Sequence, residues 1–283
     1  MDDVSLPEWL EPVRHGVRTM SAEDLSAFLP PDDPRPREGA VLVLFGEGPD
    51  GPDLLLTERA HTMRSQPGQV SFPGGKSDDG EDAIATALRE AQEETGLDPE
   101  GVGVFAVLPR IWLPPRNFAV APVLAFWDHP SPIHVVNEHE VHAVFRTPIE
   151  QLLDPAERFC VKHPLGWHGP GWMVGPGRDV LLWGFTAGII DALFDHVGWT
   201  REWDRSQVRT LPEHHVDWRR IAAFLGVETR EEVTELIESG RVAGDQPLDR
   251  DHAPVDDDTP EGTDVPIGNE DRHTDDDAPE PRR

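Results

Sequence analysis

The chain has 283 residues, with 54 acidic against 25 basic side chains and a formal net charge of −29. That field repels nucleic-acid phosphates and anionic lipid, so neither is expected as a partner, and an anionic ligand must meet local arginine, lysine or bound cations. The single cysteine, Cys160, excludes an intrachain disulfide and a cysteine-rich metal site, and it reads as a buried apolar side chain.

Residues Ser5 to Leu29 read as a short helical lead-in, broken by Pro30, Pro31, Pro34 and Pro36. The start is acidic and mixed, unlike a secretory leader. Ala40 to Phe45 is a continuous apolar run that suits a buried strand, followed by a hairpin loop over Gly46–Gly51 and a second strand over Leu54 to Thr57. Further strands are expected at Val102 to Leu108, Phe118 to Trp127 and Val141 to Phe145. Helices are expected over Glu81 to Thr95 and around Asp179 to Val197. Gly166–Gly177, with Trp167 and Trp172, has no phosphate-loop pattern and is expected to pack or to cover a pocket. The longest uncharged apolar run, Val180 to Ile190, is too short to span a bilayer, and a cytoplasmic location is expected.

After Gly198 two short amphipathic helices are expected, at Val216 to Leu225 and Arg230 to Ile237. From Asp245 onward acidic residues dominate and large apolar ones nearly vanish, so that segment is expected to be disordered. The histidines His139, His142, His214 and His215 could ligate a metal, but no H-E-x-x-H or paired Cys/His spacing supports a zinc site.

The stretch from Gly75 to Leu97 carries the chemistry. Asp78 and Asp79 can cap a helix start, and Gly96 sits where a helix favours a left-handed terminating residue. Ile84, Ala87, Leu88 and Ala91 make an apolar face. Glu90, Glu93 and Glu94 fall at i, i+3 and i+4, so three carboxylates share another face. Such a cluster is tolerable when solvated, and useful where a hard cation such as Mg²⁺ or Mn²⁺ neutralises it. Arg89, one turn before Glu93, can hold it as a fork-shaped partner.

These residues resemble the Nudix box, G-x5-E-x7-R-E-U-x-E-E-x-G-U with U apolar. Gly75, Glu81, Arg89, Glu90, Glu93, Glu94, Gly96 and Leu97 match it, and Ala91 is smaller than the usual apolar residue at its position. The resemblance implies an α/β fold, an α/β/α sandwich with a mixed β-sheet and the box helix at its side. It also implies metal-dependent hydrolysis of a nucleoside diphosphate linked to another group. Glu90, Glu93 and Glu94 would be metal ligands, Arg89 would orient them, and Glu81 would be an outer support. Nudix enzymes often recruit a further carboxylate. Asn137-Glu138-His139-Glu140-Val141 resembles the family's N-x-x-E-V stretch, which makes Glu140 the first candidate for general base or extra ligand, with Glu138, Glu93 or no single side chain as alternatives.

Upstream, Leu55-Leu56-Thr57-Glu58-Arg59-Ala60 continues through Arg64 and Gly68 to Phe72-Pro73-Gly74-Gly75. It is similar to the extra motif of the coenzyme A pyrophosphatase subfamily, L-L-T-x-R-[S/A]-x3-R-x3-G-x3-F-P-G-G. That likeness implies coenzyme A or an acyl-CoA as small-molecule substrate, with Arg59, Arg64, Phe72, Gly74 and Gly75 at the substrate. Guanidinium groups bind phosphate oxygens bidentately. The expected products are (acyl-)4′-phosphopantetheine and adenosine 3′,5′-bisphosphate. The alternatives are another nucleoside diphosphate derivative such as NADH or ADP-ribose, and a nucleotide-binding module without catalysis. The expected organisation is a lead-in over 1–37, a Nudix domain over 38–198, a helical extension over 199–244 and an acidic tail over 245–283.

Overall fold

Strands buried on both faces need apolar residues at every position, and the central strands have them. In β1 (Arg37–Gly48), Leu42 and Leu44 belong to one core and Val43 and Phe45 to another, because successive side chains point to opposite faces. The computed structural model describes residues 4–26, 36–63, 66–113 and 117–239. The expected break at Pro30, Pro31 and Pro34, the substrate candidate Arg64 and the acidic tail from Asp245 lie outside these residues.

β1 pairs antiparallel with β2 (Gly51–Arg59) and parallel with β7 (Phe118–Trp127), which pairs with β5 (Val102–Val107) and β6 (Ile111–Leu113). β3 (Val70–Ser71) and β8 (Val141–Pro148) join β2, and β4 (Gly74–Lys76) joins β1. The result is a mixed sheet. The expected loop over 46–51 shrinks to Pro49 and Asp50, because Gly46, Glu47 and Gly48 stay in the ladder. The expected strands over 54–57 and 141–145 both extend, since β2 and β8 pair along their lengths.

One face of this sheet is covered by α3 (Ala83–Thr95), whose Ala87 and Ala91 pack on Leu42, Leu44, Val123 and Ala125. The helix starts later than expected. Asp82 is its cap, with a side-chain oxygen accepting from the Ala85 N–H at 2.8 Å, and Asp78 and Asp79 precede it. Gly96 ends the helix in the left-handed region at φ 69°.

The opposite face is covered by α1 (Glu11–Gly16), α2 (Ala22–Leu25), α4 (Ile149–Leu153) and α5 (Gly184–His196). Leu10, Val13, Leu152, Ile190, Leu193 and Phe194 share a core with Phe45, Leu56 and Phe126. Helices therefore flank both faces, and the lead-in is part of the core. The expected helix around 179–197 is two elements: Val180–Leu182 is a strand, and Trp183 caps the helix that begins at Gly184. The Gly166–Gly177 stretch contains another strand, His168–Val174, and Trp172 on it is fully buried, donating its Nε1–H to the Leu152 carbonyl at 3.0 Å.

A second sheet was not expected from the sequence. In order, β11 (Val180–Leu182), β10 (His168–Val174), β9 (Arg158–Lys162) and β12 (Val208–Thr210) lie side by side. β12 runs parallel to β9 and so ties the residues after Gly198 to the rest of the protein. α6 (Trp218–Leu225) and α7 (Arg230–Glu238) pack on this sheet through Ile221, Ala222 and Val233. Among the described residues no helix is long and apolar enough to cross a membrane.

Candidate active site

The site forms where α3 meets β4 and the end of β2. Register places β4 antiparallel to β1, with Gly75 opposite Ala40, so the Gly74–Gly75 backbone runs beside the last turns of α3. The Gly74 N–H donates to Glu94 Oε2 at 3.2 Å. A Cβ on Gly75 would stand 2.5 Å from the Glu90 carboxylate carbon, so any larger residue there displaces that carboxylate from its present position.

The three box carboxylates share a helix face but not an environment. Glu93 is 60% exposed, Glu90 17%, and Glu94 is buried at 7% as a residue. Burial pushes the Glu94 carboxyl up to about 8, against the Gly74 N–H and the Arg59 charge, which favour the anion. Burial raises Glu90 as well, with Glu93 and Glu140 adding repulsion and Arg89 opposing it.

Arg89 ties the box together. Its Nε and Nη2 donate to the two oxygens of Glu81 at 2.8 and 3.0 Å. Its Nη1 donates to Glu90 and Glu93, both at 3.0 Å, and Nη2 also reaches the Lys76 carbonyl. Glu81 also accepts from the Asp78 N–H and from Thr86 Oγ1, both at 3.0 Å. The bonds from Arg89 hold Glu81 at about 2, and Arg89 itself is held strongly protonated, chiefly by Glu81. Glu81 therefore braces Arg89 from outside the cluster.

Arg59, at the end of β2, is mostly buried, and its charge is felt by Glu94. Its Nε is buried and has no hydrogen-bond partner among the described residues. Burial lowers its pKa, while Glu94 and Glu140 raise it. Glu140 is exposed, just before β8, and its backbone carbonyl accepts from the Ala60 N–H at 2.8 Å. Its charge acts on Arg59, Glu90 and Glu94. The structure thus brings Glu81, Arg89, Glu90, Glu93, Glu94, Glu140, Arg59, Gly74 and Gly75 to one place. Phe72 is set apart: it is 1% exposed within the core opposite α3, so its ring packs instead of facing the cleft. Glu138 is exposed and is not among the charges acting on the box carboxylates. The Lys76 carbonyl is a partner that no sequence motif marks, because any residue type supplies one.

A gathered set of carboxylate oxygens, two of them with raised affinity for a proton and one seated against a backbone amide, suits a hard divalent cation, which relieves both the burial and the mutual repulsion.

The NUDIX domain family model matches residues 35–179. The uncharacterized Nudix hydrolase NudL of Cronobacter sakazakii is 42% identical over 168 residues, covering 57% of this chain and 83% of that protein. Nudix hydrolase 15, mitochondrial, of Arabidopsis thaliana is 36% identical over 170 residues, covering 56% of this chain and 58% of its own length. The crystal structure of a Nudix hydrolase from M. Smegmatis, RenU, covers 60% of this chain and 90% of its own at 18% identity and a TM-score of 0.40. With the family model spanning half the chain and an intact set of box side chains converging in space, the protein belongs to the Nudix family and is a pyrophosphohydrolase of that family.

Proposed function

We propose that the protein hydrolyses the pyrophosphate of coenzyme A or an acyl-CoA, giving (acyl-)4′-phosphopantetheine and adenosine 3′,5′-bisphosphate. The observation that carries this reading is Arg59. In a chain of net charge −29, a mostly buried guanidinium lies within reach of the Glu94 and Glu140 charges, with an Nε that has no partner among the described residues. Such a group costs free energy unless an anion meets it, and a pyrophosphate oxygen does so in the geometry guanidinium favours. Arg59 also belongs to the run from Leu55 to Gly75 that resembles the coenzyme A subfamily.

Glu90, Glu93 and Glu94 would hold Mg²⁺ or Mn²⁺. When bound, such an ion withdraws charge from phosphate oxygens and makes water a better nucleophile at neutral pH. The side chains do the rest. Arg89 fixes the Glu90 and Glu93 carboxylates while leaving Glu94 to the Gly74 amide, so the three keep distinct orientations. Arg59 binds and orients the pyrophosphate. Glu140, exposed at the rim and close enough to act on the buried carboxylates, takes the proton from the attacking water.

The deciding assay offers the purified protein coenzyme A, an acyl-CoA, NADH and ADP-ribose with Mg²⁺ or Mn²⁺, and identifies products by mass. The highest kcat/KM is expected for coenzyme A or its thioester, with adenosine 3′,5′-bisphosphate released. A clear preference for NADH or ADP-ribose overturns the assignment.

A further inference from the structure

On the other side of β2 from the box, three potential ligands meet that the Nudix chemistry does not use. Glu58 directly precedes Arg59, so their side chains leave the strand on opposite faces: Arg59 toward Glu94, Glu58 toward His61. Glu58 is a buried carboxylate, 7% exposed as a residue, and its Oε1 lies 3.0 Å from His61 Nε2. Across the ladder from Glu58 stands Ala143, and across from Arg59 stands Val141. His142 is therefore the extra residue of a β-bulge in β8, and bulges re-aim side chains. Here the bulge brings the His142 ring edge-on to His61, with centroids 4.7 Å apart. One donor atom from each of Glu58, His61 and His142 lies within 4.8 Å of the others.

These groups open into a pocket of about 440 Å³ between the main sheet and the second sheet, whose far wall includes Met173, Leu181, His214 and His215. His215 adds an independent sign. Its Nδ1 is buried and has no hydrogen-bond partner among the described residues. A buried imidazole nitrogen without a partner is costly, and it lines the same pocket as the His61, His142 and His214 imidazoles and the Glu58 carboxylate.

We propose that Glu58, His61 and His142, with His215 facing them across the pocket, form a second cation site that takes a borderline divalent ion of the zinc class. The donor set decides the class. Imidazole nitrogens suit zinc and its transition-metal neighbours, whereas Mg²⁺ and Mn²⁺ prefer the all-oxygen box. Two imidazoles and one carboxylate fill three positions of a tetrahedral zinc, at about 2.0–2.2 Å each, and a water on the side of His215 fills the fourth. The site joins β2 and β8 to the segment that follows β12, so an ion held there also clamps the C-terminal helices onto the catalytic unit.

The test uses the full chain, stripped with a chelator and equilibrated with excess Mg²⁺ to occupy the box, then titrated with Zn²⁺ by calorimetry, with bound zinc counted by elemental mass spectrometry. One tightly held zinc per chain is expected. His61→Gln and His142→Gln, both at exposed imidazoles, should each weaken it by more than about 100-fold, since losing only the partner that orients a ligand costs about 10–100-fold. Glu93→Gln should leave it unchanged. Co²⁺ offers a second readout, with visible absorption bands expected in the wild type and lost in His142→Gln. Wild-type zinc affinity in both histidine variants, zinc binding abolished by Glu93→Gln, or no tight zinc in the wild-type chain overturns the proposal. None of these readouts involves turnover, so failure here leaves the substrate reading standing, and the reverse also holds.

Discussion

Glu94 shows how one side chain is set up by its surroundings. Its neighbours on the helix, Glu90 and Glu93, are the same residue type, yet only Glu94 is buried and faces a backbone amide. Glu94→Gln keeps the size and removes the charge, and it should lower kcat by roughly two orders of magnitude or more with the fold intact. Near-normal turnover at saturating metal removes Glu94 from the ligand set. The same group gives a pH signature in metal-free protein. Its carboxyl is raised from an ordinary 4.5 to about 8 on folding, so the folded state holds its proton more tightly than the unfolded state does. The resulting stability is full below pH 4.5 and is lost as pH rises through about 8. Thermal melts in chelator should therefore show a fall in Tm over that window that Glu94→Gln abolishes. An unchanged slope in the variant would assign the fall to other groups. Glu140→Gln, at an exposed position, should lower kcat by about 10²–10⁴-fold with KM similar and flatten the acidic limb of the pH–rate profile. If rate and profile both persist, Glu140 is not the base.

At the scale of elements, α3 is the part most plainly written in the sequence. Its apolar positions recur with helical spacing, its end is marked by Gly96, and its polar face carries the carboxylates. Its start was less legible, because Asp78, Asp79 and Asp82 are equally good caps by type, and only the path of β4 into the helix selects Asp82. Asp82→Ala should cost about 1 kcal/mol in urea unfolding, while Asp79→Ala should be nearly silent. Equal effects would place the cap elsewhere. The long apolar runs of β1, β2 and β7 were legible for the same reason as α3: both faces are buried, so the signal is continuous. The second sheet was not. Its strands are short, His168–Val174 is interrupted by Gly169, Pro170 and Gly171, and β12 joins β9 from some fifty residues away, where no local pattern points. The meeting of Glu58, His61 and His142 was hidden likewise, since it depends on strand register and one bulge and not on spacing along the chain.

For the whole molecule, charge is the dominant fact. A net −29 opposes the approach of any polyanion, and the local positive charge of Arg59 must work against that field. Added salt screens exposed charges over about 10 Å at 0.1 M, and it weakens the long-range repulsion more than the short-range contact. At fixed saturating metal, kcat/KM for coenzyme A should therefore rise as monovalent salt increases from about 0.01 to about 0.1 M. A steady fall would show that attraction at the cleft governs the encounter.

The centre of the main sheet is a parallel pair, with Arg37 through Phe45 of β1 lying against Phe118 through Phe126 of β7, roughly eighty residues later. During synthesis β1 leaves the ribosome long before the strand that completes it. Until β7 follows, Val41 to Phe45 present an apolar ribbon with a bare row of backbone donors and acceptors, and the apolar face of α3 has only part of its floor. Closing so long a loop makes this a slow nucleation event, and a nascent chain stalled before Phe118 is the species most prone to pair with another of its kind.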